Sequence, residues 1–279
     1  MDFSAPIHRS IWPLLFAAAI ASLGGSCVHA ADKSLLTDSD LSLGGPVKSE
    51  VLPAVPNING WIGAAGDYLH NERGNGAGAI VEGGIAVPFA QDIAGQLHAL
   101  DGAAGGANLQ SIDAYLFWRN PAKGLIGPHV MYTQSGTYHN YLYGLHGEAY
   151  LSNWTLTGEG GGVTTRDNNT YYLEALVNWY PVPNWRTYAG AIVLNGDAGG
   201  QVGVEYQPGL KSMPGLSIFA DAGAGAHDLR YGFIGLRYYF GDPCDPCKSL
   251  VRRQREDMVP GTLNLFAIHK KKPPVYAEI

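Results

Sequence analysis

The chain has 279 residues, of which only 15% are charged, and its formal net charge is -6. Soluble domains carry roughly 25% charged residues, so this composition does not suit an ordinary soluble surface. The lack of a long apolar run after the N-terminus argues against a helical membrane protein, and the lack of a basic patch interleaved with aromatic residues argues against nucleic acid as a partner. A transmembrane β-barrel agrees with the mean hydropathy of -0.05, because only every second residue of its strands faces lipid.

Two segments precede the strand-like part of the chain. Residues 1–30 have the features of a signal peptide: a weakly basic start, an apolar stretch over residues 11–23 and a small-residue cleavage pattern (Val-His-Ala) at residues 28–30. The apolar stretch is shorter than the roughly 20 residues that a membrane-spanning helix needs, so we predict export. Residues 31–56 contain three prolines and no sustained period, which predicts a periplasmic lead-in segment. A flexible linker is the favoured interpretation, and a plug of the barrel is the alternative.

From residue 57 onward, short alternating runs are separated by Gly, Asn, Asp and Pro. Twelve runs have the length that a tilted strand needs to cross the hydrocarbon layer, most of them about eight to twelve residues. They cover residues 58–69, 79–87, 93–100, 110–119, 125–133, 141–151, 154–163, 171–180, 185–194, 201–207, 216–223 and 230–240. We therefore predict an all-β fold: a closed, antiparallel, up-and-down transmembrane β-barrel over residues 57–241, whose last strand pairs with its first. An even count places both ends on one side, and 10 or 14 strands would satisfy the same condition.

The predicted connections differ between the two sides of the barrel. Connections after even-numbered strands, such as residues 89–92 and 120–124, are compact turns, whereas those after odd-numbered strands, such as residues 71–78 and 101–108, are longer and more polar. Residues 208–215 are an exception on the short side. Bacterial barrels have short turns on the periplasmic side. We therefore predict the Gram-negative outer membrane as location, with the N- and C-termini in the periplasm.

The two faces of the predicted strands differ in chemistry. One face is apolar, and aromatic residues near strand ends, such as Trp118 and Trp154, predict girdles at the membrane interfaces. The only lysines between residues 57 and 240 are Lys123 and Lys211, both in turns, which argues for lipid rather than water outside. The other face is predicted to line the lumen. Its predicted members are Glu82, His98, Asp113, His129, His146, Glu148, Glu159, Glu174, Arg186, Glu205, Asp221 and Arg237.

One predicted cross-strand pair stands out on the lumen face. If residues 152–153 form a two-residue hairpin turn, His146 lies directly across from Glu159, with Cβ atoms about 5 Å apart. Such a pair can act as a base or as a pH-sensitive gate. In a narrow barrel, the pair can also simply neutralise two buried groups, and we favour this structural interpretation.

Two residue sets raise the alternative of an outer-membrane hydrolase. Ser135, His139 and Asn140 lie close together in a predicted loop and contain the groups of a serine hydrolase. His146 and Glu159, together with Glu148, could serve a metal-assisted hydrolase. Neither set has a specific surrounding motif, so we predict no enzymatic activity, no cofactor and no metal site.

Residues 231–240, YGFIGLRYYF, predict the closing strand. The spacing of Gly235, Tyr238 and Phe240 resembles the last strand of Gram-negative outer-membrane β-barrels, which ends on an aromatic residue that the assembly machinery reads. Arg237 lies on the opposite face and is expected to point into the lumen. The resemblance implies outer-membrane lipid, lipopolysaccharide and the barrel-assembly machinery as partners.

Two further phrases are similar to the barrel part of inverse autotransporters, adhesins that export a C-terminal passenger through a twelve-stranded pore. They are residues 117–125 (FWRNPAKGL) and 147–155 (GEAYLSNWT). The 39 residues after Phe240 are too few for such a passenger. The resemblance therefore implies the barrel and puts the adhesin function in doubt.

Residues 242–279 are predicted to be a periplasmic tail. Cys244 and Cys247 have CxxC spacing, but neither a thioredoxin-like context nor a second Cys or His pair at zinc spacing accompanies them. We predict a local disulfide, which an oxidising periplasm favours. The basic run over residues 248–255 is predicted to be solvated, and contact with anionic head groups or the cell wall is the alternative.

The sequence thus predicts a porin-like barrel that allows passive diffusion of small solutes. Acidic residues outnumber arginines on the predicted lumen face, which favours small cations as the diffusing solutes. A non-conducting structural or adhesin-type barrel is the first alternative, and a hydrolase is the second.

Overall fold

The computed structural model describes residues 52–72, 74–136, 138–165, 169–241 and 248–257. The predicted signal peptide, most of the predicted lead-in segment and the predicted disulfide between Cys244 and Cys247 lie outside the described residues. Within those ranges, no helix is long and apolar enough to cross a membrane.

The described residues form twelve strands and one short helix. The strands combine aromatic and β-branched residues, which favour extended backbone, with alternating small or polar residues. Their bounds are β1 (Asn59–Asn71), β2 (Gly74–Pro88), β3 (Ile93–Ala104), β4 (Ala107–Asn120), β5 (Gly124–Ser135), β6 (Tyr138–Leu151), β7 (Trp154–Thr165), β8 (Asn169–Val182), β9 (Trp185–Leu194), β10 (Asp197–Tyr206), β11 (Leu216–Gly225) and β12 (Arg230–Phe240), followed by helix α1 (Leu250–Glu256).

The twelve strands close into an antiparallel barrel. Each strand pairs with its neighbours in sequence, and β12 pairs with β1. This seam runs from Gly60 opposite Phe240 to His70 opposite Arg230. Closure leaves no unpaired strand edge, as a sheet in lipid requires, because no water is available there for free amide and carbonyl groups. The predicted fold class, the count of twelve strands and the pairing of the last strand with the first are confirmed.

The predicted difference in connection length is wrong. The strands extend further than expected, so that β3 and β4 are joined only by Gly105 and Gly106, and β1 ends three residues before β2 begins. The longest connection, residues 207–215, follows an even-numbered strand. The strands remain paired through the polar stretches, because pairing gives the backbone amide and carbonyl groups hydrogen-bond partners whatever side chains the residues carry. Gly105 and Gly106 both have positive φ, at 58° and 83°, which is the backbone of a tight hairpin turn.

The outer surface is apolar over the middle of every wall. Large side chains such as Val81, Leu145, Leu173 and Ile234 point outward, and Ile234 exposes 67% of its surface. Exposure of this extent is rare on monomeric soluble proteins and marks contact with another apolar phase. Lipid is the phase that a closed barrel of this kind contacts.

Exposed aromatic residues lie near both ends of the outer surface. Trp118, Trp154, Trp179 and Trp185 lie near the turns after even-numbered strands, and Tyr68, Tyr141, Tyr143 and Tyr171 lie near the turns after odd-numbered strands. On β8, the eight steps from Tyr171 to Trp179 span about 26 Å at about 3.3 Å per residue. At the strand tilt of about 35–45° that is typical of outer-membrane barrels, this length corresponds to a height of about 20 Å, which approaches their apolar band of about 25 Å.

The two ends of the barrel are filled differently. We call the end where the chain enters β1 and leaves β12 the terminal mouth, and the other end the opposite mouth. Residues 52–57 and helix α1 pack into the terminal mouth. At the opposite mouth, the strands themselves supply buried apolar side chains, including Leu100, Leu109, Leu142 and Val163.

The prediction that the basic run over residues 248–255 is solvated is wrong. Lys248 and Arg253 are only 1% and 3% exposed, and Leu250 and Val251 are also buried. The sequence places apolar and long polar side chains on one side of the helix, and the mouth supplies partners for both kinds. The run is therefore part of the barrel interior.

Candidate functional site

The barrel interior between the two mouths is the candidate site, and Arg237 on β12 binds two of its carboxylates. The guanidinium donates from Nη2 to Glu82 Oε1 at 2.9 Å and from Nη1 to Glu205 Oε2 at 3.2 Å. The rings of Trp61 and Phe219 cover it, with centroids 4.3 Å and 4.5 Å from Cζ. Arginine suits this position because its planar group can bind two carboxylates and stack on aromatic faces at once.

Glu205 is the carboxylate with the most partners in this network. Arg186 Nη2 lies 3.2 Å from Oε2, while Ser217 Oγ and the Tyr239 hydroxyl each donate to Oε1 at 2.7 Å. These groups come from β9, β11 and β12, and Glu205 lies on β10, so the interaction ties four strands together inside the barrel. A buried carboxylate with this many donors is neutralised locally.

His98 extends the same network towards β3 and β4. Its Nε2 lies 3.8 Å from Glu82 Oε2, and its Nδ1 lies 3.3 Å from Asp113 Oδ2. Trp61 packs against the imidazole, with ring centroids 5.3 Å apart. His98 and Asp113 are direct cross-strand partners, so the register places this pair.

A second network surrounds two histidines on the other side of the lumen. His146 lies opposite Glu159 in the register of β6 and β7, as predicted, and its Nδ1 is 2.9 Å from Glu159 Oε2. Its Nε2 is 3.6 Å from Glu148 Oε1. His129 Nε2 lies 3.3 Å from Glu159 Oε1 and hydrogen-bonds the Tyr172 hydroxyl. Each carboxylate here faces an imidazole.

The glycine-rich sequence of β6 and β7 makes room for this network. A Cβ atom at Gly144 would lie 2.8 Å from the Tyr172 hydroxyl and 2.2 Å from the Gly160 carbonyl oxygen. A side chain at that position would therefore displace Tyr172 from His129. Glycines at such points allow close approach inside a narrow sheet.

The remaining predicted acids also have partners. Glu174 Oε1 accepts from Gln201 Nε2 at 2.8 Å, and Gln201 Oε1 accepts from the Tyr231 hydroxyl at 3.3 Å. Asp221 accepts a hydrogen bond from the Tyr188 hydroxyl. These contacts join the acids to the neighbouring walls.

The structure places the twelve predicted lumen residues inside the barrel. All are buried except Glu159 and Asp221, which are partly exposed. They separate into two networks: Arg237 with Glu82, His98, Asp113, Arg186 and Glu205, and His146 with His129, Glu148 and Glu159. Glu174 and Asp221 lie outside both and bind neighbouring polar residues.

Sequence reasoning missed several interior residues. Ser217 and Tyr239 lie two positions from other inward residues of their strands, and Arg119 continues the inward face of Asp113 on β4, so a strict period of two would have found them. Gln254 is different. It reaches Glu148 Oε1 at 2.6 Å from helix α1, and no strand pattern could have placed it.

The two hydrolase candidates have different arrangements. The register places Ser135 opposite Tyr138 and His139 opposite Gln134, and the His139 ring contacts the ring of Tyr141. The metal-assisted candidate coincides with the His146 network. Among the described residues, no group of three or more His, Cys, Asp or Glu side chains is arranged to hold a metal ion.

The predicted closing-strand residues lie at the seam. A Cβ atom at Gly235 would be 2.4 Å from the Ala64 carbonyl oxygen and 2.7 Å from the Phe219 ring. Glycine at this position therefore keeps the Phe219 ring next to Arg237. The Phe240 ring lies over Gly60, where a Cβ atom would be 2.9 Å from it.

No protein-family model matches the sequence, and a search of curated proteins finds no match. The KdgM porin, solved alone and in complex with disordered oligogalacturonate, has a TM-score of 0.50 and 14% identity over 64% of this chain and 99% of that chain. The fold is that of outer-membrane porin barrels. The COG4313 outer membrane channel from Pseudomonas putida F1 has a TM-score of 0.48 and 10% identity, over 71% of this chain and 100% of that one.

Proposed function

We propose that this protein is an outer-membrane, porin-like barrel through which small solutes diffuse passively. The observation that carries the proposal is the combination of an apolar outer wall bounded by aromatic girdles with an interior of hydrogen-bonded charged groups. A polar interior is typical of barrels that hold water. The shared fold with the KdgM porin supports the same class.

The lumen is proposed to favour small cations. The predicted lumen face holds seven carboxylates, namely Glu82, Asp113, Glu148, Glu159, Glu174, Glu205 and Asp221, against two arginines, Arg186 and Arg237. Glu82 and Glu205 are paired with these arginines. Glu174 accepts a hydrogen bond from the neutral amide of Gln201.

Planar-bilayer recording tests both statements. The folded protein should give step currents, and the reversal potential in a salt gradient should show cation preference. Glu174→Gln should reduce that preference, while Glu72→Gln, outside the lumen in the β1–β2 turn, should change it little. Anion preference would contradict the carboxylate assignment.

A non-conducting structural barrel is the second candidate. It is favoured by the apolar side chains that fill the interior at the opposite mouth, including Leu109, Leu142 and Val163. Repeated recordings without step currents, from protein whose gel migration shifts on heating as a folded barrel's does, would select this candidate.

The remaining parts of the proposal concern location and assembly. Both termini lie in the periplasm, lipid and lipopolysaccharide surround the wall, and the assembly machinery reads Gly235, Tyr238 and Phe240. An epitope inserted at Gly196, in the β9–β10 turn, should bind antibody on intact cells. The same epitope at Ser212, in the β10–β11 turn, should not bind, and the reverse pattern would invert the topology.

A further inference from the structure

Helix α1 occupies the terminal mouth together with residues from the other end of the chain. Leu250 and Val251 pack into one apolar cluster with Ala54, Val55 and Tyr180. The Val251 amide donates to the Pro183 carbonyl at 3.2 Å in the β8–β9 turn. The segment that precedes the barrel in the sequence and the segment that follows it therefore meet at one mouth.

Polar side chains of the helix reach the lumen networks. Gln254 Nε2 donates to Glu148 Oε1 at 2.6 Å, and its Oε1 lies 3.5 Å from Arg186 Nη1. Arg253 Nε donates to Gln207 Oε1 at 3.2 Å, and its guanidinium lies over the Tyr239 ring. The helix thus contacts residues that the proposed pathway would use.

Arg119 and Lys248 hold the two chain segments to each other. Arg119 Nη1 donates to the carbonyl oxygens of Ala54, at 3.1 Å, and of Asp257. Lys248 Nζ lies 2.7 Å from Asp257 Oδ1. One wall residue on β4 therefore binds both segments, and a buried ion pair closes the helix end.

The attachment of these segments differs from that of the strands. Helix α1 has only seven residues, and a helix this short is not stable in water by itself. Within the described residues, no strand ladder includes residues 52–57 or 248–257. Side-chain contacts and the backbone hydrogen bonds from Ala54 to Gln91 and from Val251 to Pro183 hold them, and each such hydrogen bond contributes only about 0.5–3 kcal/mol.

We propose that residues 52–56 and helix α1 form a removable plug that seals the terminal mouth of the lumen, and that its departure admits small solutes. The seal concerns access to the lumen from the terminal mouth. The admission of solutes rests on the proposed channel function, and a separate measurement tests each statement.

Thiol labelling tests the seal. Thr155 is buried in the lumen wall near the terminal mouth, so Thr155→Cys provides a reporter in a chain whose native Cys27, Cys244 and Cys247 are replaced by Ser. Arg253→Ala should speed reaction with a small cationic methanethiosulfonate by about tenfold or more, since a hydrogen bond from a charged group is lost. Equal rates with and without Arg253→Ala would overturn the plug.

The helix offers a matched control and a second variant. Arg252 lies on the outer side and pairs with Glu256 at 3.0 Å, so Arg252→Ala should leave the labelling rate unchanged. Gln254→Leu removes both the donor to Glu148 and the acceptor beside Arg186 and should raise the rate as Arg253→Ala does. Heat-modifiable gel migration identifies the variants that remain folded barrels.

Bilayer conductance of the same variants separates the two proposals. Faster labelling with larger conductance supports both. Faster labelling without conductance in any variant supports the seal and overturns the channel function. Conductance in the full chain with unchanged labelling overturns the plug and leaves the channel.

Discussion

The terminal mouth and the opposite mouth close the same barrel with different materials. Chain segments outside the strands fill the terminal mouth and are held by side-chain contacts such as Gln254 to Glu148. The opposite mouth is filled mainly by side chains of the strands, such as Leu109 and Leu142, with Leu229 from the β11–β12 turn. Separate segments can leave while the barrel stays folded, whereas side chains of the wall remain and can only narrow the mouth.

Charged side chains form a layer in the barrel interior between the two mouths. Arg237 binds Glu82 and Glu205 there, and His146 binds Glu148 and Glu159. If the mouths are independent, changes in this layer should affect the whole barrel, while changes at one mouth should affect only that mouth.

The largest effect is expected in the shared layer. Arg237→Met keeps the side-chain volume but removes the guanidinium that binds Glu82 and one of the two that bind Glu205, which should lower the free energy of unfolding by about 3–5 kcal/mol. Urea titration of the refolded barrel, followed by tryptophan fluorescence, measures it. Arg230→Met, on the same strand but exposed, is the control and should cost at most about 1 kcal/mol. Similar losses for the two variants would show that the network does not stabilise the barrel.

A core substitution at the opposite mouth should come next. Leu142→Ala removes a buried side chain from the apolar cluster and should cost about 2–5 kcal/mol of unfolding free energy. Leu145→Ala, on the outward face of the same strand, leaves the interior intact and should cost less. Leu142→Ala should also leave labelling at the terminal-mouth reporter unchanged. Faster labelling would show that the two mouths are coupled.

At the terminal mouth, the effect should be local. Arg119→Ala removes the side chain that binds Ala54 and Asp257, a loss of about 1.5–3 kcal/mol for contacts of a charged group. Trypsin should then cut at Lys248 and Arg253, which are buried in the folded chain, and mass spectrometry identifies the sites. Lys123→Ala, in a nearby exposed turn, should leave both sites protected, and protection in Arg119→Ala would contradict the assigned role.

The smallest effect is expected at the rim of the opposite mouth. Asp228 Oδ2 lies 3.0 Å from His70 Nε2, and this hydrogen bond, with Arg230 nearby, holds the pKa of Asp228 below its usual range. The lowered pKa adds stability above the usual range near pH 4, and that stability is lost as the pH falls through the lowered value. Asp228→Asn should therefore be slightly less stable than the natural chain at pH 6.

Urea titrations of Asp228→Asn and of the natural chain, repeated at decreasing pH, measure this difference in stability. As the pH falls below about 4, the usual pKa of an aspartate, the difference between Asp228→Asn and the natural chain should shrink, because the natural Asp228 becomes protonated as well. A difference that grows with acid would contradict the pairing with His70.

The number of strands and the inward or outward direction of their side chains were predictable, because both depend on the local sequence pattern. His146 and Glu159 followed from a two-residue turn and a period of two, and the structure has that register. Connection length was not predictable from polarity, since the ladder between β3 and β4 continues through polar residues to Gly105. Turn composition shows where a chain can reverse, and the backbone pairs up to that point.

Partners across the lumen were not predictable from the same pattern. Arg237 and Glu82 are 155 positions apart, and their contact depends on barrel closure and on the space that Gly235 leaves for Phe219. The sequence shows that both residues face inward. It does not show which inward residues meet, because that depends on the width and stagger of the closed sheet.

By itself, the sequence determined that alternating strands close into a barrel with an apolar outside and a charged inside, because lipid requires paired backbone and a period of two sorts the side chains. Only the tertiary structure decided whether the basic run over residues 248–255 is buried or exposed. Its charges are typical of a solvated tail, yet Lys248 and Arg253 are buried, because Asp257 and Gln207 offer them partners inside the mouth.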